Sequence, residues 1–118
     1  DLILVDDMIS SGESMLDIAA KLKEMGAGRI FIFSTFGLFV NGLDKFDEYY
    51  ENKLIDKIFT TNLIYQPEEL LKREWYCSVN MAKYISLLID TLNNDNSISS
   101  LLDPGDRIKQ VVSQYNNK

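Results

Sequence analysis

Two adjacent acids, Asp6 and Asp7, follow the apolar run Leu2-Ile3-Leu4-Val5, and after Met8-Ile9 the segment Ser10-Ser11-Gly12-Glu13-Ser14 opens an amphipathic stretch. That order has a direct physical reading. At the end of a strand the chain must turn sharply, and Gly12 permits the turn. The first backbone N–H groups of the following helix lack internal partners, and the helix dipole adds partial positive charge there. A phosphate is the natural occupant of such a place. The hydroxyls of Ser10, Ser11 and Ser14 can add donors, and no Lys or Arg stands in the loop.

Carboxylates repel a phosphate, so Asp6 and Asp7 must face something else. The vicinal hydroxyls of a sugar donate well to them, and a magnesium ion could be shared with the ligand. An acid pair beside an anion nest therefore describes a ribose phosphate. An Asp-Asp pair alone can be a turn and helix cap, and Ser-Ser-Gly alone can be a plain loop. What points to chemistry is the unbroken order from Leu2 to Ser14.

The elements that must position this loop are legible as apolar patterns. Leu2–Val5, Ile30–Phe33, Ile55–Thr60 and Trp75–Val79 have strand length. The first two are continuously apolar, as strands covered on both faces are. Between them Met15, Ile18, Leu22 and Met25 form a helical stripe with Leu16, Ala19 and Ala20 beside it, predicting a helix over 14–25. Gly26, with Lys21 and Lys23 in the last turns, gives the stop. Strand–helix–strand predicts a parallel sheet with right-handed crossovers and the Leu2–Val5 strand at its centre. Further helices are predicted at about 43–50 and 79–93, with a helical turn at Gln66–Leu71. Ser97–Leu102 reads as a short turn that packs its aliphatics. Asp103-Pro104 then caps a last amphipathic helix, with Pro104 in its first position.

Bulk properties narrow the classes. The 118 residues suit one domain, and the 46% hydrophobic share allows a core. The net charge is −6, and residues 1–59 hold 11 acids against 6 bases. That balance excludes a nucleic-acid surface, which would cluster Lys and Arg. Lys21/Lys23 and Lys72-Arg73 read as solvated helix faces. Cys77, inside the run Trp75–Val79, reads as a buried inert thiol; the chain has no histidine to activate it. No run approaches the roughly 18–20 apolar residues of a membrane span. A reducing, cytoplasmic location is the expectation. Asp1 stands directly before a strand with no initiator Met, which predicts a piece of a longer chain, its C-terminal part.

Leu2 to Ser14 resembles the phosphoribosyl-diphosphate (PRPP) binding signature of the type I phosphoribosyltransferase superfamily: an apolar run, two acids, two apolar residues, then Asp-Thr-Gly-Gly-Thr. Here the last five are Ser10-Ser11-Gly12-Glu13-Ser14. Ser10 replaces an acid that many transferases use near the reacting ring. Glu13 replaces a glycine, and if its backbone needed positive φ it would cost on the order of 1 kcal/mol. Phe33-Ser34-Thr35-Phe36-Gly37-Leu38-Phe39 resembles a segment of ribose-phosphate pyrophosphokinases (PRPP synthetases), with Phe36 where that family has histidine. Thr60-Thr61-Asn62-Leu63-Ile64, Cys77-Ser78-Val79 and Ser97-Ile98-Ser99-Ser100-Leu101-Leu102 resemble later segments of the same family.

The resemblance implies an α/β fold, a mainly parallel sheet flanked by helices, forming a phosphoribosyltransferase-like domain over 1–102 with a helical extension at 103–118. It implies a ribose-phosphate diphosphokinase that makes PRPP from ribose 5-phosphate and ATP with Mg2+, as a homo-oligomer without nucleic-acid or membrane partners. Asp6 and Asp7 would hold the ribose hydroxyls; the metal's ligands stay open, with Asp6 and Asp7 as indirect candidates. Ser10, Ser11, Gly12, Glu13 and Ser14 would cradle the 5-phosphate. ATP would bind mainly through segments earlier in the family's chain, so no catalytic residue is assigned here. Phe36, Gly37 and Thr61 stand at strand ends where ligands collect. The rival readings are a phosphoribosyltransferase of nucleotide salvage and a catalytically silent regulatory homologue.

Overall fold

In the computed structural model, which describes residues 1–117 and only the backbone of Ser100 and Leu101, the chain divides into two units, Asp1–Met81 and Ala82–Lys118. The first unit holds β1 (Leu2–Ile9), α1 (Glu13–Glu24), β2 (Ile30–Gly37), α2 (Asp44–Glu51), β3 (Lys57–Thr61), α3 (Glu68–Leu71) and β4 (Tyr76–Val79). The second holds α4 (Ala82–Asn93), α5 (Ser99–Leu102) and α6 (Gly105–Asn116).

All three strand pairings are parallel, in the order β1-β2-β3-β4. Each strand therefore pairs with the next in sequence, which puts β1 at an edge and not at the predicted centre. Edge placement also changes its burial. Leu4 packs on the core, but Ile3 and Val5, on the opposite face, are 65% and 77% exposed. The continuous apolar run had suggested two covered faces. In β2 the alternation is clear, with Ile30, Ile32 and Ser34 buried and Phe31 and Phe33 half-buried. In-register neighbours Val5, Phe33, Phe59 and Cys77 share that second face, where Phe33 and Phe59 stack at 4.5 Å. Cys77 is half-buried rather than enclosed.

Strand limits shift for identifiable reasons. β1 runs on through both acids because the ladder continues from Asp6↔Ser34 to Met8↔Phe36 and Ile9↔Gly37. β3 starts at Lys57, after Asp56 has closed onto β2. The Asp56 carboxylate accepts the Ile30 N–H at 2.7 Å while the Asp56 N–H donates to the Ile30 carbonyl at 3.0 Å.

On α1 the stripe lies one residue off the predicted one. Leu16 and Ala19 are fully buried with Met15 and Leu22 packed beside them, whereas Ile18 and Met25 are 47% and 82% exposed. Gly26, at φ 91°, ends the helix as predicted, donating its N–H to the Lys23 carbonyl at 3.0 Å.

An aromatic cluster closes the other end of the core. Phe39, Phe46, Trp75 and Tyr76 are buried, and Phe39 and Trp75 touch each other and both remaining rings. Arg73 belongs to this structure and is not a solvated helix face. Its Nε donates to Asp47 Oδ1 at 3.0 Å, and Asp47 also accepts the Trp75 indole N–H at 2.6 Å. Lys23 likewise reaches Asp56, at 4.0 Å, and donates to the Gly28 carbonyl. In the second unit, α6 begins at Gly105 with Pro104 as its cap residue, and the Asp103 carboxylate accepts the Gly105 N–H at 2.9 Å. The expected aliphatic packing at Ser97–Leu102 falls partly on Leu101, whose side chain lies outside the description; Leu102 is exposed.

Candidate functional site

β1 delivers Asp6 and Asp7 to the sheet's C-terminal edge, and the chain turns at Ser10-Ser11-Gly12 into α1. Gly12 is left-handed, with φ 80° and ψ −1°, and serves as the helix cap residue without a side-chain cap bond. Its carbonyl accepts the Leu16 N–H at 2.9 Å, the first bond of the helix. The N–H groups of the first helical turn lack helical acceptors. The Glu13 N–H meets only the Ser11 hydroxyl, at 3.4 Å.

These residues enclose a cleft of about 150 Å³ lined by Asp6, Met8, Ile9, Ser10, Ser11, Gly12, Ser14 and Met15. Of the seven predicted residues, Asp6, Ser10, Ser11, Gly12 and Ser14 thus share one lining. Asp7 and Glu13 stand outside it. Asp7 is tied to its neighbour through its own N–H, which donates to Asp6 Oδ1 at 2.8 Å. Glu13 starts the helix, so the positive φ that had been a concern at this position falls on Gly12 instead. Its carboxylate turns outward to Lys45 of α2, at 3.9 Å. That cation comes from the same chain.

Phe36 and Gly37 end β2 beside Met8 and Ile9. A Cβ on Gly37 would stand 2.6 Å from Phe39 and 2.9 Å from Thr60, so packing accounts for this glycine. The Thr61 hydroxyl donates to the Thr35 carbonyl at 2.6 Å, a structural bond between strand ends.

Sequence patterns did not reveal what supports the loop. The Leu38 and Val40 N–H groups donate to the carbonyls of Ile9 and Ser10 at 2.8 and 3.0 Å, and Phe39 between them is forced to φ 48°. Phe46 of α2 abuts Gly12. The only local sign was the missing side chain at Gly12. Among the described residues no three His, Cys, Asp or Glu side chains gather as a metal cage. Tyr76, at the far end of the sheet edge, is the one described group whose pKa is clearly moved, upward and chiefly through burial.

A four-stranded parallel sheet with helices, and a left-handed glycine turn opening α1, define an α/β protein. Residues 2–103 match the model of the phosphoribosyl synthetase-associated domain, and the chain belongs to that family. It is similar to the ribose-phosphate pyrophosphokinase of Shewanella oneidensis, 33% identical over 101 residues, which cover 86% of this chain and 31% of that one. The same-named protein of Mycoplasmopsis pulmonis is 30% identical over 99 residues, 84% of this chain and 30% of the other. In three dimensions it is similar to the phosphoribosylpyrophosphate synthetase of Mycobacterium smegmatis. The TM-score is 0.68 at 21% identity, over 80% of this chain and 30% of that chain, a likeness of fold. The chain spans just under a third of the length of the curated relatives it matches.

Proposed function

We propose that the cleft at residues 10–14 binds ribose 5-phosphate, and that the chain supplies this site to a ribose-phosphate diphosphokinase. The observation that carries the reading is one shared lining. Asp6, the three serines and the turn at Gly12 meet in a cleft of about 150 Å³ at a helix N-terminus, in a chain of the phosphoribosyl synthetase family. The 5-phosphate sits on the backbone N–H groups of residues 11–14, with hydroxyls from Ser10, Ser11 and Ser14. Asp6 and Asp7 accept from the ribose hydroxyls.

In the whole protein the reaction moves the diphosphoryl group of ATP to the C1 hydroxyl of the sugar. That chemistry depends on positioning and charge neutralisation. This chain contributes the positioning of the acceptor. ATP binds chiefly through residues outside it. Magnesium typically takes one or two carboxylates and completes its shell with phosphate oxygens and water. Asp6, in the cleft lining, would reach such an ion indirectly, and the ion would supply neutralisation of phosphate charge. We take residues 1–102 as the domain and 103–118 as an extension; a family match over 2–103 supports this reading, while the two structural units divide after Met81. The exposed apolar residues on the second sheet face support a homo-oligomer, and a cytoplasmic location follows from such substrates.

Calorimetric titration of the full-length protein with ribose 5-phosphate tests the assignment. Asp6→Asn and Asp7→Asn each keep shape and lose charge, and each weakens binding by about 1–3 kcal/mol. Unchanged affinity in both would remove the acid pair from the site.

A further inference from the structure

Gly12 has no room for a side chain because a buried ring stands against it. A Cβ there would lie 2.2 Å from Phe46 Cζ and 3.0 and 3.2 Å from the two Cε atoms. The near-equal Cε distances mean that the long axis of the ring points end-on at the turn. Phe46 is only 1% exposed and cannot retreat. Phe39 meets it edge-to-face at 5.0 Å, and Trp75 stacks on it at 5.4 Å. Trp75 is itself fixed through its indole N–H on Asp47, which Arg73 also holds. Phe39 belongs to the segment whose neighbouring N–H groups bind the carbonyls of Ile9 and Ser10. The turn is thus held from one side by hydrogen bonds and from the other by the ring tip.

We propose that Phe46 is a positioning residue of the anion loop: its ring is the seat that fixes the backbone of Gly12, and so the direction in which the N–H groups of the following residues point. This inference rests on the ribose-phosphate reading of the loop. A loop of serines and glycine has little stiffness of its own, while an anion nest works only when several N–H groups converge on one point. A caged aromatic ring supplies the stiffness without contributing a polar atom. It also makes glycine obligatory for steric reasons in addition to its left-handed φ of 80°.

A double-substitution cycle in the full-length protein tests the seat, with ribose 5-phosphate affinity and melting temperature read in parallel. Gly12→Ala places a methyl group on the ring tip and weakens binding by about ten- to a hundredfold, the scale of one hydrogen bond lost to a charged group. Phe46→Leu removes the ring tip, lowers the melting temperature and weakens binding by several-fold. In Gly12→Ala/Phe46→Leu the left-handed φ still strains the alanine but the clash with the ring is gone, so the affinity recovers in part and exceeds that of Gly12→Ala alone although a second core side chain has been cut. Phe46→Met, which keeps volume on a flexible stem, gives the same rescue if the leucine variant folds poorly. A merely structural role predicts the reverse: the double variant binds no better than Gly12→Ala, with losses that multiply, and that result overturns the proposal. If the unaltered protein binds no ribose 5-phosphate, or Gly12→Ala binds as well as it does, the ribose-phosphate reading itself fails and takes this inference with it.

Discussion

The turn at residues 10–14 and the segment at 62–66 both leave the C-terminal edge of one sheet, and they treat their polar groups in opposite ways. After β3, the Gln66 amide donates to the Thr61 carbonyl at 3.1 Å and to the Tyr76 hydroxyl, and accepts from the Ser78 hydroxyl at 2.8 Å. Tyr76 and Thr60 share a further bond of 2.5 Å. Asn62 accepts the Met81 N–H at 2.8 Å and donates to Asn80 at 3.2 Å. After β1, the loop's own side chains contribute one long bond, the Glu13 N–H to the Ser11 hydroxyl at 3.4 Å, beside an open cleft. Polar groups satisfied internally hold a fold together and offer little to a ligand. Groups left to water cost the fold some order and are available. The same sheet edge thus carries one closed end and one receptive end.

The largest expected effect that would break this contrast is at the closed end. Gln66→Ala strips partners from Thr61, Tyr76 and Ser78 at once, and should cost about 1–3 kcal/mol of stability. Urea unfolding would measure it, and calorimetry on the same variant should find ribose 5-phosphate affinity unchanged. An affinity loss larger than the stability loss would mean that the 62–66 segment is part of the site.

A smaller effect appears at alkaline pH. Burial lifts Tyr76 above its ordinary 10.0, against the lowering influence of its bonds to Thr60, Ser78 and Gln66. The folded chain then keeps a proton that the unfolded chain loses, so stability falls as pH rises. The contribution is complete below pH 10.0 and disappears as the pH passes the raised value. Tyr76→Phe should therefore show a shallower decline in stability above pH 10.0 than the unaltered chain, by thermal melting across that range.

Much of the receptive end was legible from sequence, because it depends on order along the chain. A strand, a glycine turn and a helix start are local, and Leu2 to Ser14 spells all three. The element types elsewhere were also readable from periodicity. What failed was whatever depends on a distant partner. Local pattern could not say that β1 lies at an edge, since strand order is set by crossovers. Of the stripe it drew on α1, Met15 and Leu22 pack on the core but Ile18 and Met25 do not, and the sheet takes Leu16 and Ala19, which it had set beside the stripe. It read Arg73 as solvated because Asp47, its partner, lies 26 positions away. Phe46 under Gly12 is the same kind of case: nothing near either residue announces the other.

The smallest effect concerns Glu13, the residue at the receptive end that carries a charge of the wrong sign. Its carboxylate is 58% exposed and stands 3.9 Å from Lys45, itself 47% exposed, so water and salt screen both. Glu13→Gln keeps the helical backbone and removes the charge. It also frees Lys45 at the rim of the loop. Both changes favour an anion, and at these separations in water they amount to at most about 1 kcal/mol, or roughly a fivefold gain in ribose 5-phosphate affinity. The gain should shrink as ionic strength rises, because charges this exposed are screened within about 10 Å at 0.1 M salt. Stability should change little, since an exposed pair typically contributes between 0 and about 1 kcal/mol. A loss of affinity would carry the opposite lesson. Glu13 would then be accepting from the sugar or holding its metal, and the receptive end would work through a carboxylate as well as through bare N–H groups.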